Sequence, residues 1–268
     1  MKRLMYVMLC VSLGMVLCGT AQVIASPTID GAVIKTRIFN DNPTSIVTTS
    51  NLYASSITIN DDQRGSQDGG WANLHNFRLS ADGGTTPASF ANADAFAFSS
   101  DVTITGTGNA EAGLLVSPWW SLDVDGRYMI NGSNGEIAAF GGRLPFYSFT
   151  NPSGYGLTYT KGDTIRMGVV YRPNSLSALD PATIEYIVTM GSTAYSSGLL
   201  PFDEGNPAEG HGSWGMLTPA GVGGYFQPQV GNTTLWEQAT FGNMVYVPEP
   251  ATMALLGLGS LFLARRRK

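Results

Sequence analysis

The sequence has few of the residues used in thiol, histidine and zinc chemistry. Its 268 residues include two cysteines, Cys10 and Cys18, and two histidines, His75 and His211. Both cysteines fall in an apolar segment near the start, so the rest of the chain has no disulfide and no thiol nucleophile. A catalytic triad or a zinc site that depends on histidine has almost no candidates. We expect both histidines to lie at the surface or in turns.

Charged residues are also scarce, at 13% of the chain, against 43% apolar residues. Between the two ends lie nine basic and all 20 acidic residues, a net charge of −11, which disfavours nucleic-acid binding. The apolar content is sufficient for a sizeable core. Few Lys and Glu residues and 33 glycines are poor composition for helices and good composition for short strands and tight turns.

The first 25 residues have the pattern of a secretory signal peptide. A basic start at residues 2–3 precedes an apolar run over 4–17, and small residues follow. We expect signal peptidase to cleave between Ala25 and Ser26, with cleavage after Ala21 as a second option. An uncleaved membrane anchor is the alternative, although the run is shorter than the ~20 residues that span a bilayer.

The C-terminus combines a proline-rich motif, an apolar run and a basic cluster. The two prolines of the motif predict the end of the preceding domain, because proline has no N–H to extend a strand ladder. The apolar run covers 251–264 and predicts a short apolar helix. The motif is Val247, Pro248, Glu249 and Pro250, and the basic membrane-stop cluster is Arg265, Arg266, Arg267 and Lys268.

This arrangement over 247–268 resembles the PEP-CTERM sorting signal of Gram-negative bacteria. The resemblance implies transient anchoring of the tail in the inner membrane and processing by an exosortase, a membrane protease. Delivery to the cell surface, the outer envelope or an extracellular matrix would follow. An ordinary tail anchor is the alternative.

The middle of the chain, residues 26–246, predicts a single all-β domain. Short segments of alternating or β-branched character follow one another between Gly, Asn, Asp and Pro residues, which favours an antiparallel β-sandwich. Segments 46–60, 156–159 and 223–230 are among the predicted strands. Because Pro228 has no N–H for a strand ladder, we expect 223–230 to be an edge strand or a loop. Glycines after Asp or Asn, such as Gly132 and Gly135, predict tight hairpins with positive φ.

Residues 111–199 resemble a concanavalin A-like jelly roll of the lectin, glucanase or laminin-G type. The residues that carry this resemblance are Glu111 and the apolar run after it, Trp119 and Trp120, and two later hairpins. The fold expected is therefore a jelly-roll-type sandwich, flanked by the signal helix and the C-terminal apolar helix. Another β-sandwich is the alternative.

No intact catalytic motif is present. Glycosidases on this fold use two carboxylates, often as Glu-x-Asp-x-x-Glu, and no glutamate here has an aspartate two residues later. Glu111 and Glu136 could face one another across a sheet, which makes them weak catalytic candidates. The simpler interpretation places them near hairpin ends, solvated or hydrogen-bonded.

We expect no cofactor beyond a possible structural calcium ion. Asp123 and Asp125 are weak candidates because Gly132 stands where the EF-hand pattern requires glutamate. Aromatic rings stack on sugars, so Trp119 and Trp120 are candidates for a carbohydrate platform, and adjacent residues of a strand point to opposite faces. Core packing is the commoner role of tryptophan in a sandwich.

The leading hypothesis is a non-enzymatic structural or adhesive protein of the cell surface or extracellular matrix. The first alternative is a module that binds exopolysaccharide. The second is a glycan-active enzyme that uses Glu111 and Glu136. The expected partners are signal peptidase and the secretion machinery, an exosortase and, in the first alternative, a polysaccharide.

Overall fold

The computed structural model describes residues 26–64, 73–118, 125–204, 214–229 and 234–248, which fold as an antiparallel β-sandwich. A 3-10 helix at Pro152–Gly154 is the one helical element in these ranges. The fifteen strands are β1 (Gly31–Phe39), β2 (Ile46–Leu52), β3 (Ser56–Asp62), β4 (Leu74–Ser80), β5 (Phe96–Gly106), β6 (Asn109–Pro118), β7 (Asp125–Asn131), β8 (Ile137–Phe140), β9 (Tyr147–Ser148), β10 (Thr164–Arg172), β11 (Thr183–Met190), β12 (Thr193–Ser196), β13 (Leu200–Pro201), β14 (Val222–Gln229) and β15 (Trp236–Pro248).

The strands form two sheets, and strands from distant parts of the sequence pair in both. The first sheet has the order β1-β4-β14-β6-β7-β8-β9. The second has the order β12-β11-β10-β5-β15-β3-β2, and β13 pairs with β11 outside that path. This crossing of strands from both halves of the chain gives the jelly-roll-type sandwich that the sequence predicts.

The core lies between the sheets and follows the period of two that strands impose on side chains. On β10, every second residue faces the core and is buried, namely Ile165, Met167, Val169 and Tyr171. On β4 the buried core residues Phe77 and Leu79 alternate with residues on the outer face. The two inner faces together bury a contiguous apolar cluster, which holds the sheets together.

Two predicted strands were wrong in their extent. The segment 46–60 is a hairpin of β2 and β3, because the backbone turns at Ser55, whose N–H donates to the carbonyl of Leu52 at 2.9 Å. The segment 156–159 is not a strand. Tyr155 and Gly156 both have positive φ, 88° and 67°, and this conformation breaks the extended backbone.

The expectation for Pro228 was half right. β14 is an interior strand between β4 and β6, so the segment is not an edge strand. Its register with β4 nevertheless ends at Phe226, while its register with β6 continues through Pro228 to Gln229. The proline therefore lies where one side of the strand has no partner, so the missing N–H breaks no ladder there.

The turn glycines behave differently from one another. Gly135 has the predicted positive φ, 77°, but Gly132 is not among the residues of positive φ. The reason is that Asn131 closes this turn with its side chain. Its Oδ1 accepts from the backbone N–H of Ser133 at 2.8 Å and of Asn134 at 3.2 Å.

The remaining predicted features of the two ends lie partly outside the described residues. The structure does not describe residues 1–25 and 249–268. These ranges contain both predicted terminal helices, Ala25, Glu249, Pro250 and the basic cluster. Ser26 is described, is buried, and donates its hydroxyl to the carbonyl of Ala95 at 2.8 Å. In the described part of the chain, no helix is long and apolar enough to cross a membrane.

Candidate functional site

The outer face of the first sheet carries a group of polar side chains, here called the polar row. It is built on three neighbouring strands, β14, β6 and β7. Since Ala112 and Leu114 of β6 point into the core, the residues between and beside them point outward. The members of the polar row are Glu111, Arg127, Asn131, Gln227 and Gln229.

The register of the strands brings these residues together. Glu111 lies opposite Gln227 of β14 on one side and opposite Asn131 of β7 on the other. Arg127 lies two outward positions further along β7, opposite Leu115. Its long side chain extends back along the sheet to Glu111. Gly113 lies at the outward position between Glu111 and Leu115, and because it has no side chain it leaves room for Arg127.

Glu111 is the centre of the polar row. Its Oε1 accepts from Gln229 Nε2 at 3.1 Å and from Asn131 Nδ2 at 3.3 Å. Its Oε2 lies 3.5 Å from Nη1 of Arg127, which also donates to Oε1 of Gln227 at 2.9 Å. The glutamate therefore has an ion pair and two amide hydrogen bonds on one carboxylate.

The polar row is partly shielded from solvent. The side chains of Arg127 and Glu111 are 13% and 14% exposed. Burial raises the pKa of Glu111, the charges and hydrogen bonds of Arg127 and Asn131 lower it in part, and Glu136 raises it slightly. The groups are thus accessible from one side and fixed by one another.

A second apolar cluster borders the polar row on the same outer face. Tyr225 belongs to it, and the Arg127 guanidinium lies 5.0 Å from the centre of the Tyr225 ring, within range of a cation–π contact. Burial raises the pKa of Tyr225 well above its usual value, and its hydroxyl has no hydrogen-bond partner in the described structure. The other buried members of the cluster are Leu74, Leu115, Met129 and Ala138, with Ile38 and Phe140 packed against them.

Glu111 and Glu136 do share this face, as the sequence suggested. The N–H of Asn131, which is paired with Glu111, donates to the carbonyl of Glu136 at 2.9 Å, so Glu136 lies beside Asn131 in the turn immediately before β8. Two strand spacings put the backbones of the two glutamates about 10 Å apart. Asn131 stands between them and contacts Glu111.

A separate polar cluster is buried inside the sandwich, at His75. The expectation of a surface or turn position was wrong for this residue, whose side chain is fully buried and packs against Phe226. Its Nε2 lies 3.0 Å from Oδ2 of Asp61, which also accepts from Asn73 Nδ2 at 2.7 Å. The alternation with Phe77 and Leu79 on β4 would have indicated this inward position.

Glu237 is a second buried carboxylate, opposite Asp61 in the β3–β15 register. Burial raises its pKa to about 7, although the ammonium of Lys161, 3.5 Å from Oε1, lowers it in part. No group of three or more His, Cys, Asp or Glu side chains in the described ranges could hold a metal ion.

Several predicted site residues lie outside the described residues, among them Trp119, Trp120, Asp123 and His211. Asp125 begins β7, so its backbone is part of the ladder with β6. The calcium site therefore stays a prediction. Val247 and Pro248 of the C-terminal motif are the last residues of β15 and pair with Ala97 and Phe96.

Sequence reasoning missed most of the polar row. Arg127, Asn131, Gln227 and Gln229 were not identified as site residues, and for the two glutamines the reason is that the prediction treated the strand with Pro228 as an edge strand or a loop. The signal was nonetheless present, since Tyr225, Gln227 and Gln229 alternate with the buried Phe226.

The comparisons with known proteins identify the tail of the chain. Residues 247–268 match the PEP-CTERM protein-sorting motif. The chain thus carries the sorting signal of exported, cell-surface-sorted proteins, and this confirms the resemblance found in the sequence. No curated protein matches the chain.

Among solved structures, the chain is similar to the alginate lyase from Corynebacterium sp., with a TM-score of 0.46, 10% identity, and coverage of 83% of this chain and 98% of the lyase. It is also similar to the family 7 alginate lyase A1-II′ in complex with product, with a TM-score of 0.45, 10% identity, and coverage of 84% and 100%. For the cellulose-induced protein Cip1 the TM-score is 0.37 at 12% identity, with coverage of 81% and 91%.

Proposed function

We propose that this chain is a structural or adhesive protein of the cell surface or extracellular matrix that binds polysaccharide on the outer face of its first sheet. The sorting motif at 247–268 supports the location. An exosortase would process the tail, after signal peptidase has removed residues 1–25. The polar row supports the binding role.

The observation that carries the binding role is the convergence of polar side chains on Glu111. Amide, carboxylate and guanidinium groups are the donors and acceptors that match sugar hydroxyls. In the polar row they hold one another in place before any ligand arrives, which reduces the entropy lost on binding. The five buried members of the adjoining apolar cluster are at most 3% exposed, but the partly exposed Phe140, opposite Arg127 in the β7–β8 register, offers contact for the apolar face of a sugar ring.

We propose binding without catalysis. Both oxygens of Glu111 are engaged by Arg127, Gln229 and Asn131, which favours a positioning role for the carboxylate. His75, the one histidine in the described part of the chain, faces the interior and not the polar row.

The experiment is affinity electrophoresis of the full chain in gels that contain the producer's own exopolysaccharide, compared with gels that contain none. We expect retardation, and we expect the double variant Gln227→Ala, Gln229→Ala to bind about tenfold more weakly. Gln238→Ala is the matched control because it removes the same amide from the outer face of the second sheet. Equal binding by all three proteins would count against the polar row, and no retardation of the wild type would count against binding.

The second candidate is a glycan-active enzyme that uses Glu111 and Glu136. It is favoured by one observation, the raised pKa of Glu111 on the face that it shares with Glu136, since a general acid needs a raised pKa. Incubation of the chain with the same polysaccharide distinguishes the two candidates. New chain ends that the wild type forms and the Glu111→Gln variant does not would establish this second candidate.

A further inference from the structure

In the described part of the chain, the two sheets have four edges, and three of these edges are protected against pairing with another strand. In the first sheet, β9 has two residues, and β1 carries Lys35 and Arg37 beside an irregularity in its register with β4. In the second sheet, the β11 side is covered by the short strands β12 and β13, of which β13 includes Pro201. Short length, charge, proline and bulges are the usual means of blocking an edge.

The fourth edge, β2, has none of these features. Its seven residues, Ile46 to Leu52, contain no charge, no proline and no glycine. It pairs with β3 along its whole length without an irregularity, so its other side presents an ordered row of backbone groups. Six of the seven residues are exposed, and Ile46 and Leu52 are 61% and 63% exposed. A regular, uncharged edge of this kind pairs readily with a further strand.

The sequence of β2 is complementary to itself when two copies run antiparallel. If Thr49 pairs with Thr49 of a second copy, Ile46 lies opposite Leu52 twice, and Val47 lies opposite Asn51 twice. Ile46 and Leu52 are on the same outer face, because they lie opposite Asp62 and Ser56 of β3. Both exposed apolar side chains of the strand therefore gain a partner, and β2 itself brings no charge into the contact.

We infer that β2 is the interface of a homodimer, in which the second copy adds its own β2 antiparallel about a two-fold axis at Thr49. The two second sheets become one continuous sheet across the axis. A two-fold contact of this kind uses the same surface on both copies and closes at two. The inference goes beyond the proposed polysaccharide binding, which uses the other sheet.

The test uses the full chain with Cys10→Ser and Cys18→Ser, kept dispersed by mild detergent, and single cysteines added in β2. In antiparallel pairs, opposite Cα atoms are about 4.5–5.5 Å apart, close enough for a disulfide. We expect Thr49→Cys to form a disulfide-linked dimer on mild oxidation. Val47→Cys alone is the matched control on the same face, since the two copies of residue 47 would lie about 13 Å apart.

An equal mixture of the Val47→Cys and Asn51→Cys chains should cross-link where each alone does not. Sedimentation of the wild type should give twice the monomer mass, and Thr49→Lys, checked for an unchanged circular dichroism spectrum, should give the monomer. Cross-linking of Val47→Cys as strong as that of Thr49→Cys would overturn the inference. A wild-type monomer at every concentration, or open-ended filaments, would overturn it as well.

Discussion

Nε2 of His75 lies 3.0 Å from Oδ2 of Asp61, and neither side chain is exposed to solvent. The other ring nitrogen, Nδ1, accepts from the backbone N–H of Arg37 at 3.1 Å. Because Nδ1 accepts this hydrogen bond, the proton of the ring is on Nε2, which donates to Asp61. This contact joins β4 of the first sheet to β3 of the second and fixes the relative position of the two sheets at one end of the sandwich.

Replacement of Asp61 by alanine should destabilise the fold by about 3 kcal/mol, because the buried Nε2–H of His75 loses its acceptor and Nδ2 of Asn73 loses one of its three. Chemical denaturation measures the loss. Asp62→Ala is the matched control. Asp62 lies on the outer face and pairs with the exposed Arg64, so its removal should change stability little. Equal effects of the two variants would contradict the structural role of Asp61.

The pH dependence of stability should include a contribution from Glu237. Its pKa in the folded state is about 7, above the usual 4.5, so the folded state binds the proton more tightly than the unfolded state. The contribution is fully present below pH 4.5 and is lost as the pH rises through 7. The melting temperature of the wild type relative to Glu237→Gln should therefore fall across this window. A constant difference between the two melting curves would show that Glu237 does not titrate there.

Gly113 should not tolerate a side chain. A Cβ at this position would lie 2.0 Å from the backbone oxygen of Tyr128, so Gly113→Ala must displace β7 from β6. We expect a loss of about 1–3 kcal/mol in stability and weaker polysaccharide binding, since the polar row spans these two strands. Gly168→Ala on β10 is the control, because its nearest atoms lie at 3.5 Å or more. Tolerance of Gly113→Ala in both measurements would contradict the close approach of the strands.

The tail should control delivery without affecting the fold. Glu249→Ala with Pro250→Ala changes only residues beyond β15, so the melting temperature should not change. Surface delivery and tail removal should be lost, as followed by cell fractionation and by the mass of the mature protein. Unaltered delivery and mass in this variant would contradict processing at the motif.

The sequence was sufficient for the fold class because alternation and turn chemistry are local. The buried residues of β10 and the turn at Gly135 follow directly from such patterns. The sheet order was not predictable, since the position of β14 between β4 and β6 depends on pairing between residues that are far apart in the chain. The polar row depends on that pairing, and for this reason Glu111 was identified without Gln227 and Arg127.

The end of β15 has a consequence for the way in which the chain is sorted. Val247 and Pro248 belong both to the sorting motif and to a central strand, and only two residues separate that strand from the apolar run at 251–264. Two residues span about 7 Å at most. If the apolar run lies in the membrane, as the sorting signal implies, this short connection would hold the folded domain against the lipid surface. The protease proposed to cleave at the motif would then have to enter this gap or separate the last pairs of β15 with β5, so the strand pairing of Val247 and Pro248 would limit cleavage.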